Sequence, residues 1–150
     1  MECFTKCKSL KNLDISNFKT TSLKKTEKMF LNCLELTSIN LNFIGEKLTN
    51  AKNMFMNCSK LTSIDLNSLV GENIESIESM FDSCNNLQFI DFSNFNTSSV
   101  KYADKVFENI NTNGELKYNS DKFNATFILG NYLSNWNIID IKNLNYSLNK

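Results

Sequence analysis

MFLNCLELTSINLN, residues 29–42, sets a Met-Phe pair, one cysteine and a short alternating apolar run side by side. The string returns as MFMNCSKLTSIDLN at 54–67 and MFDSCNNLQFIDFS at 80–93, and CFTKCKSLKNLDIS at 3–16 precedes it. Phe4, Phe30, Phe55, Phe81 and Phe107 lie 26, 25, 26 and 26 residues apart. Cys7, Cys33, Cys58 and Cys84 keep the same phase, with Ile110 in the fifth slot. Leu10, Leu36, Leu61 and Leu87 each follow a cysteine by three residues. A fixed period of this length marks a stack of small units, none of which can bury a core alone.

Within a unit the apolar period changes. Leu23, Thr26, Met29, Phe30 and Cys33 recur at spacings of three and four, the pattern of a short helix. The same phase is kept by Leu48 to Cys58, Ile74 to Cys84 and Val100 to Phe107. Pairs such as Leu13/Ile15, Ile39/Leu41, Ile64/Leu66, Ile90/Phe92 and Leu116/Tyr118 then alternate with polar residues, which predicts a short strand. Strands stack about 4.8 Å apart, whereas helices need roughly 8–10 Å. A helix-bearing side must therefore splay. The predicted fold class is an α/β repeat: a curved leucine-rich-repeat solenoid with one short parallel strand and one short helix per 25–26 residues. Residues 1–118 supply five units, the first lacking its helix, and residues 119–150 read as a C-terminal cap. Phe18, Phe43, Leu69 and Phe95 form a further column, expected in the core.

Composition narrows the chemistry. The 150 residues contain 16 lysines, 16 acids and no His, Arg or Pro, for a formal net charge of zero. Balanced charge gives no pull toward nucleic acid or anionic lipid. Residues 1–30 nevertheless hold seven lysines against three acids, and residues 31–100 three against eight. The 25 asparagines accompany few Ala and Gly, the signature of an A/T-biased codon usage. Without His the chain lacks the usual general base and metal ligand, and no nucleophile–base pair or phosphate-cradling loop stands out. No enzyme activity and no cofactor are expected. No apolar run reaches the roughly 18–20 residues of a membrane helix, so no membrane insertion is expected either.

The recurring M-F-x-x-C-x-x-L-x-x-I-D-L string resembles the BspA-like leucine-rich-repeat family, including the related repeats of mycoplasma surface lipoproteins. Met29-Phe30-Leu31-Asn32-Cys33, Met54-Phe55-Met56-Asn57-Cys58 and Met80-Phe81-Asp82-Ser83-Cys84 carry the likeness, each continuing into its Ile-x-Leu or Ile-x-Phe strand. Ser93 to Val100 is similar to that family's strand-to-helix connection, and Leu133-Ser134-Asn135-Trp136 to the way its arrays end. The resemblance implies a cell-surface or secreted adhesin that binds a protein or glycan. The chain shows no signal-peptide apolar region, which leaves a cytoplasmic scaffold as the alternative.

Two residue sets decide where binding could occur. The column cysteines sit on an apolar face and are expected as small buried packing residues, since no His completes a zinc set and their odd total of five suits no disulfide framework. Strand side chains pointing away from the core should line an inner face of Asp14, Asn40, Asn42, Ser63, Asp65, Asn67, Phe89, Asp91 and Ser93. Phe89 is the candidate aromatic anchor. Asn40 interrupts the acidic column, so no metal site is expected. Glu27, Lys52, Glu78 and Asp104 form a mostly alternating charge column on the other side. The strand around Leu13 and Ile15 has no unit before it in this chain, so self-association or a subunit contact is expected at that edge.

Overall fold

The computed structural model describes residues 3–18, 22–41, 47–69, 72–130 and 132–147. Six short strands follow in chain order: β1 (Asn12–Asp14), β2 (Ser38–Asn40), β3 (Ser63–Asp65), β4 (Phe89–Phe92), β5 (Glu115–Tyr118) and β6 (Asn137–Asp140). Helix α1 (Ala125–Leu129) precedes β6 and α2 (Ile141–Ser147) follows it. The strands pair in parallel and in phase with the repeat: Leu13 opposes Ile39, and Ile64, Ile90, Leu116 and Ile138 oppose one another in turn. This is the repeat solenoid that the periodicity predicts. The strands divide into a two-stranded sheet, β1-β2, and a four-stranded sheet, β3-β4-β5-β6. The division falls in the 25-residue unit.

The predicted helix of each unit is replaced by a run of turns. In the second rung the N–H groups of Thr26, Lys28, Phe30 and Asn32 donate to the carbonyls of Asn50, Lys52, Met54 and Met56 one rung on, at 2.8–3.0 Å. The intervening N–H groups of Met29, Leu31 and Cys33 donate three residues back, to Thr26, Lys28 and Phe30. Alternate amides therefore close local turns and cross to the neighbouring rung. The next two rungs repeat the scheme, from Ala51 to Asn57 and from Ile77 to Ser83.

Backbone conformation explains why no helix forms. Lys28, Asn53, Ser79 and Lys105 make one column with φ between 51° and 58°, and Lys6, Asn32, Asn57, Ser83 and Asn109 a second with φ between 52° and 63°. Each sits third in a four-residue turn, such as Phe30-Leu31-Asn32-Cys33, where a type II turn requires positive φ. Asn tolerates that region better than other side-chain-bearing residues. With turns instead of helices, this side keeps nearly the spacing of the strands. The rings of Phe4, Phe30, Phe55, Phe81 and Phe107 stack with centroids 5.3–6.0 Å apart and planes within 10°. The need for splaying disappears with the helices.

The core lies between the strands and the turn ladder. Its columns are Met29/Met54/Met80, the stacked Phe rings, Cys33/Cys58/Cys84, Leu36/Leu61/Leu87 and the inward strand residues, all buried in the central rungs. Leu69 and Phe95 join them as expected, but Phe18 is 55% exposed. Phe18 belongs to an end rung with a neighbour on one side only, so its column position gains no cover. Phe43 lies outside the described residues. Toward the other end, Trp136 is buried and its Nε1 donates to the Asn111 carbonyl at 2.9 Å. Its ring lies over Gly114, where an added Cβ would stand 2.9 Å from Trp136 and 2.5 Å from the Gln88 carbonyl oxygen. Only glycine lets the fifth rung approach that closely.

Candidate binding face

Strand alternation sends every second residue out of the sheet. Two rows result on the four-stranded sheet: Ser63–Phe89–Glu115–Asn137 and Asp65–Asp91–Lys117–Ile139, each crossing all four strands in register. On the two-stranded sheet Asn12 faces Ser38 and Asp14 faces Asn40. Of the nine residues expected on this face, Asp14, Asn40, Ser63 and Asp65 are exposed; Phe89 and Asp91 are half-buried. Asn67 and Ser93 lie just past the strands, also half-buried, and Asn42 lies outside the described residues.

Several of these side chains already hold the backbone. Asp14, Asp65 and Asp91 each accept from the N–H two residues on, those of Ser16, Asn67 and Ser93, at 2.8–2.9 Å. Such a turn ends the strand and explains why the column favours a short acceptor side chain. At Asp14 the hydrogen bonds from Ser16 hold the carboxyl below the usual carboxylate range. Asn67 Oδ1 accepts from the Asn94 N–H at 2.8 Å, tying one rung to the next. Asn12 Oδ1 accepts from Ser38 Oγ at 2.7 Å.

Phe89 is not a bare anchor. Lys117 Nζ stands 5.1 Å from its ring centroid and 3.5 Å from Glu115 Oε1. Asn137 Nδ2 donates to Glu115 Oε2 at 3.3 Å. Glu115, Lys117 and Asn137 thus belong to the face, and extending the Phe89 and Asp91 columns by one period reaches the first two. The result is a flat patch carrying an aromatic ring, a cation, carboxylates and an amide. Where the two sheets meet, a cleft of about 390 Å³ is lined by Ile39, Asn40, Leu41, Asp65, Asn67 and Ser68.

The turn side carries ion pairs between rungs: Lys52 with Glu78 at 2.8 Å, Lys60 with Glu35 at 2.7 Å and Lys101 with Glu75 at 3.1 Å. Inside, the Sγ–H groups of Cys33, Cys58 and Cys84 donate to the carbonyls of Phe4, Phe30 and Phe55, one rung back, at 3.1–3.2 Å. Those same carbonyls also accept the N–H of Cys7, Cys33 and Cys58. Each thiol therefore fills the second lone pair of a buried turn carbonyl. Burial raises the Cys33 thiol to about 11 and Cys84 to about 12, and raises Cys58 as well.

A family model described as "Mycoplasma protein of unknown function, DUF285" matches residues 1–119 and, a second time, residues 46–150. No curated protein and no solved structure gives a match.

Proposed function

The chain belongs to the DUF285 family of mycoplasma proteins of unknown function, and we propose that within it this solenoid is a non-catalytic binding module. The sheet face centred on Ser63, Phe89, Glu115 and Lys117 would meet a protein or glycan partner. One observation carries the reading: two rows of mixed chemistry cross the sheet in register, with an aromatic ring, a cation and carboxylates within one patch. A ring whose face is already occupied by a cation suits a polar or amphipathic ligand better than an apolar plug. The likeness to BspA-like repeats supports adhesion at the cell surface. No helix among the described residues is long and apolar enough to cross a membrane.

The test is binding of the intact chain to immobilised matrix proteins and a glycan array. Ser63→Arg and the Phe89→Ala/Lys117→Ala pair should reduce binding about tenfold or more, as anchor losses do. Lys52→Ala on the turn side should leave it unchanged. Equal loss in all three would move the site off the sheet face. A second reading, an intracellular scaffold, is favoured by the five free thiols. The redox state of exposed Cys3 in protein recovered from its native compartment separates the two readings.

A further inference from the structure

The two sides of the stack disagree at one internal step. Between the second and third rungs the turn side is closed: the N–H groups of Thr26, Lys28, Phe30 and Asn32 donate to Asn50, Lys52, Met54 and Met56, and Lys25 bridges Asn50. The Phe30 and Phe55 rings stack there at 5.3 Å. On the strand side the same two rungs are open, because β2 and β3 belong to different sheets. At the neighbouring steps the Ile15 N–H donates to the Asn40 carbonyl and Leu66 to Asp91, while Thr37 donates back to Lys11 and Gln88 to Thr62. The equivalent bonds from Leu41 to Asp65 and from Thr62 to Thr37 are not made among the described residues. This step is inside the array, with paired strands on either side of it.

The opening reaches the core. Ile39 is an inward residue of an internal rung, yet it is only half-buried, whereas Ile64, Ile90 and Leu116 of its column are buried. Ile39 and Leu41 give the cleft of about 390 Å³ an apolar lining, and Asn40, Asp65, Asn67 and Ser68 complete it with polar groups. Asp65 is exposed and has no ion pair among the described residues. Each lip offers both kinds of backbone group: the Leu41 N–H and Thr37 carbonyl on β2, the Thr62 N–H and Asp65 carbonyl on β3. An anion would meet the donors alone and would face the Asp65 carboxylate. An extended polypeptide supplies donors and acceptors on both of its edges.

We infer that this step admits an extended segment of a partner polypeptide, inserted parallel to β2 and β3 and joining the two sheets into one. Entry parts the lips to about 9.6 Å, twice the strand spacing, with the turn ladder as the hinge. Register sets the sequence of the segment. Its central residue joins the inward column of Leu13, Ile39, Ile64 and Ile90 and is apolar. The residue before it points outward between Ser38 and Ser63. The residue after it points outward between Asn40 and Asp65, where a lysine or arginine meets the unpaired carboxylate. A second copy is a poor occupant, since its strands are tied into their own sheets. The inference stands apart from the sheet-face reading: insertion uses strand edges, and the face is centred on outward side chains of β4 and β5.

The probe is a fluorescent six-residue peptide, Thr-Ser-Ile-Lys-Leu-Asn, titrated by anisotropy against the intact chain. Two relatives accompany it, one with Glu in place of Lys and one with alternate amides N-methylated. The lysine peptide should bind, and the glutamate peptide should bind roughly tenfold or more weakly, as opposed charges do at an interface. N-methylation should abolish binding. Asp65→Asn keeps an acceptor for the Asn67 N–H and should erase the preference for lysine over glutamate; an unchanged preference would contradict the register. In the free chain the Leu41 and Thr62 amides should exchange fast for an internal step, and bound peptide should protect both. No binding of the lysine peptide, or undiminished binding of the N-methylated one, would overturn the inference. So would slow exchange of these two amides in the free chain, or a scalar coupling from the Leu41 amide to the Asp65 carbonyl, since either means that the ladder is already closed. Self-association that protects the same amides without peptide would also overturn it.

Discussion

At single residues, function in the repeat is divided between side chains that pack and side chains that correct the backbone. The column cysteines do both, filling core volume and donating to a carbonyl of the rung before. A thiol held neutral by burial has a folded pKa above its unfolded value near 9. Its contribution is therefore complete below pH 9 and is lost as pH rises toward 11 and 12, the values for Cys33 and Cys84. Each such thiol costs up to about 1.4 kcal/mol per pH unit in that window. Urea midpoints at pH 8 and pH 10 should differ steeply, and less so in Cys84→Ala; equal slopes would remove the thiols from the account. Native alkylation should reach Cys3 and spare Cys33, Cys58 and Cys84 until the chain unfolds. The positive-φ columns give a second expectation. Lys105→Gly should raise stability by up to about 1 kcal/mol, and Asn57→Val should lower it by about 2 kcal/mol, since a β-branched residue resists that conformation. Urea denaturation of both variants measures this.

At the level of elements, the strands were legible in the sequence and the turn runs were not. Alternation over Ser63-Ile64-Asp65 has one structural meaning, and β3 occupies those residues. Spacings of three and four over Thr26, Met29, Phe30 and Cys33 have two, because consecutive turns closed three residues back also bring such residues to one side. The distinguishing signal was present in Asn32 and Asn57, one period apart, and in Asn109, two periods further on, all at positions that need positive φ. Codon bias masked it. Burial survived the misread element, since the same residues face the core in either conformation. A substitution at the residue before β5 tests the packing directly. Gly114→Ala places a methyl against the Gln88 carbonyl and the Trp136 ring, and overpacking of this kind costs about 1–3 kcal/mol. Calorimetry should show the loss, and near-ultraviolet dichroism should report the Trp136 displacement.

For the whole molecule, the stack was readable from the period, and half of the binding face with it. Asp14, Ser63, Asp65 and Phe89 emerged from phase alone. Glu115 and Lys117 keep the same phase, 26 residues after Phe89 and Asp91, and were within reach of it; Asn137 was not, because the sixth strand follows at a shorter interval. The structural duties of Asp65 and Asn67 were equally hidden, since a hydrogen bond to a neighbouring turn leaves no trace in composition. Stability should be graded along the axis. Amides of the central rungs, bonded on both sides, should exchange slowest and those around β1 fastest. Scalar coupling across hydrogen bonds, read between amide nitrogen and carbonyl carbon, reports the rung-to-rung ladder itself. The Phe55 amide should couple to the Met80 carbonyl, and the Phe81 amide to the Val106 carbonyl. Coupling of Phe55 to Ala51 and of Phe81 to Ile77, four residues back as in a helix, would contradict the strand-and-turn solenoid.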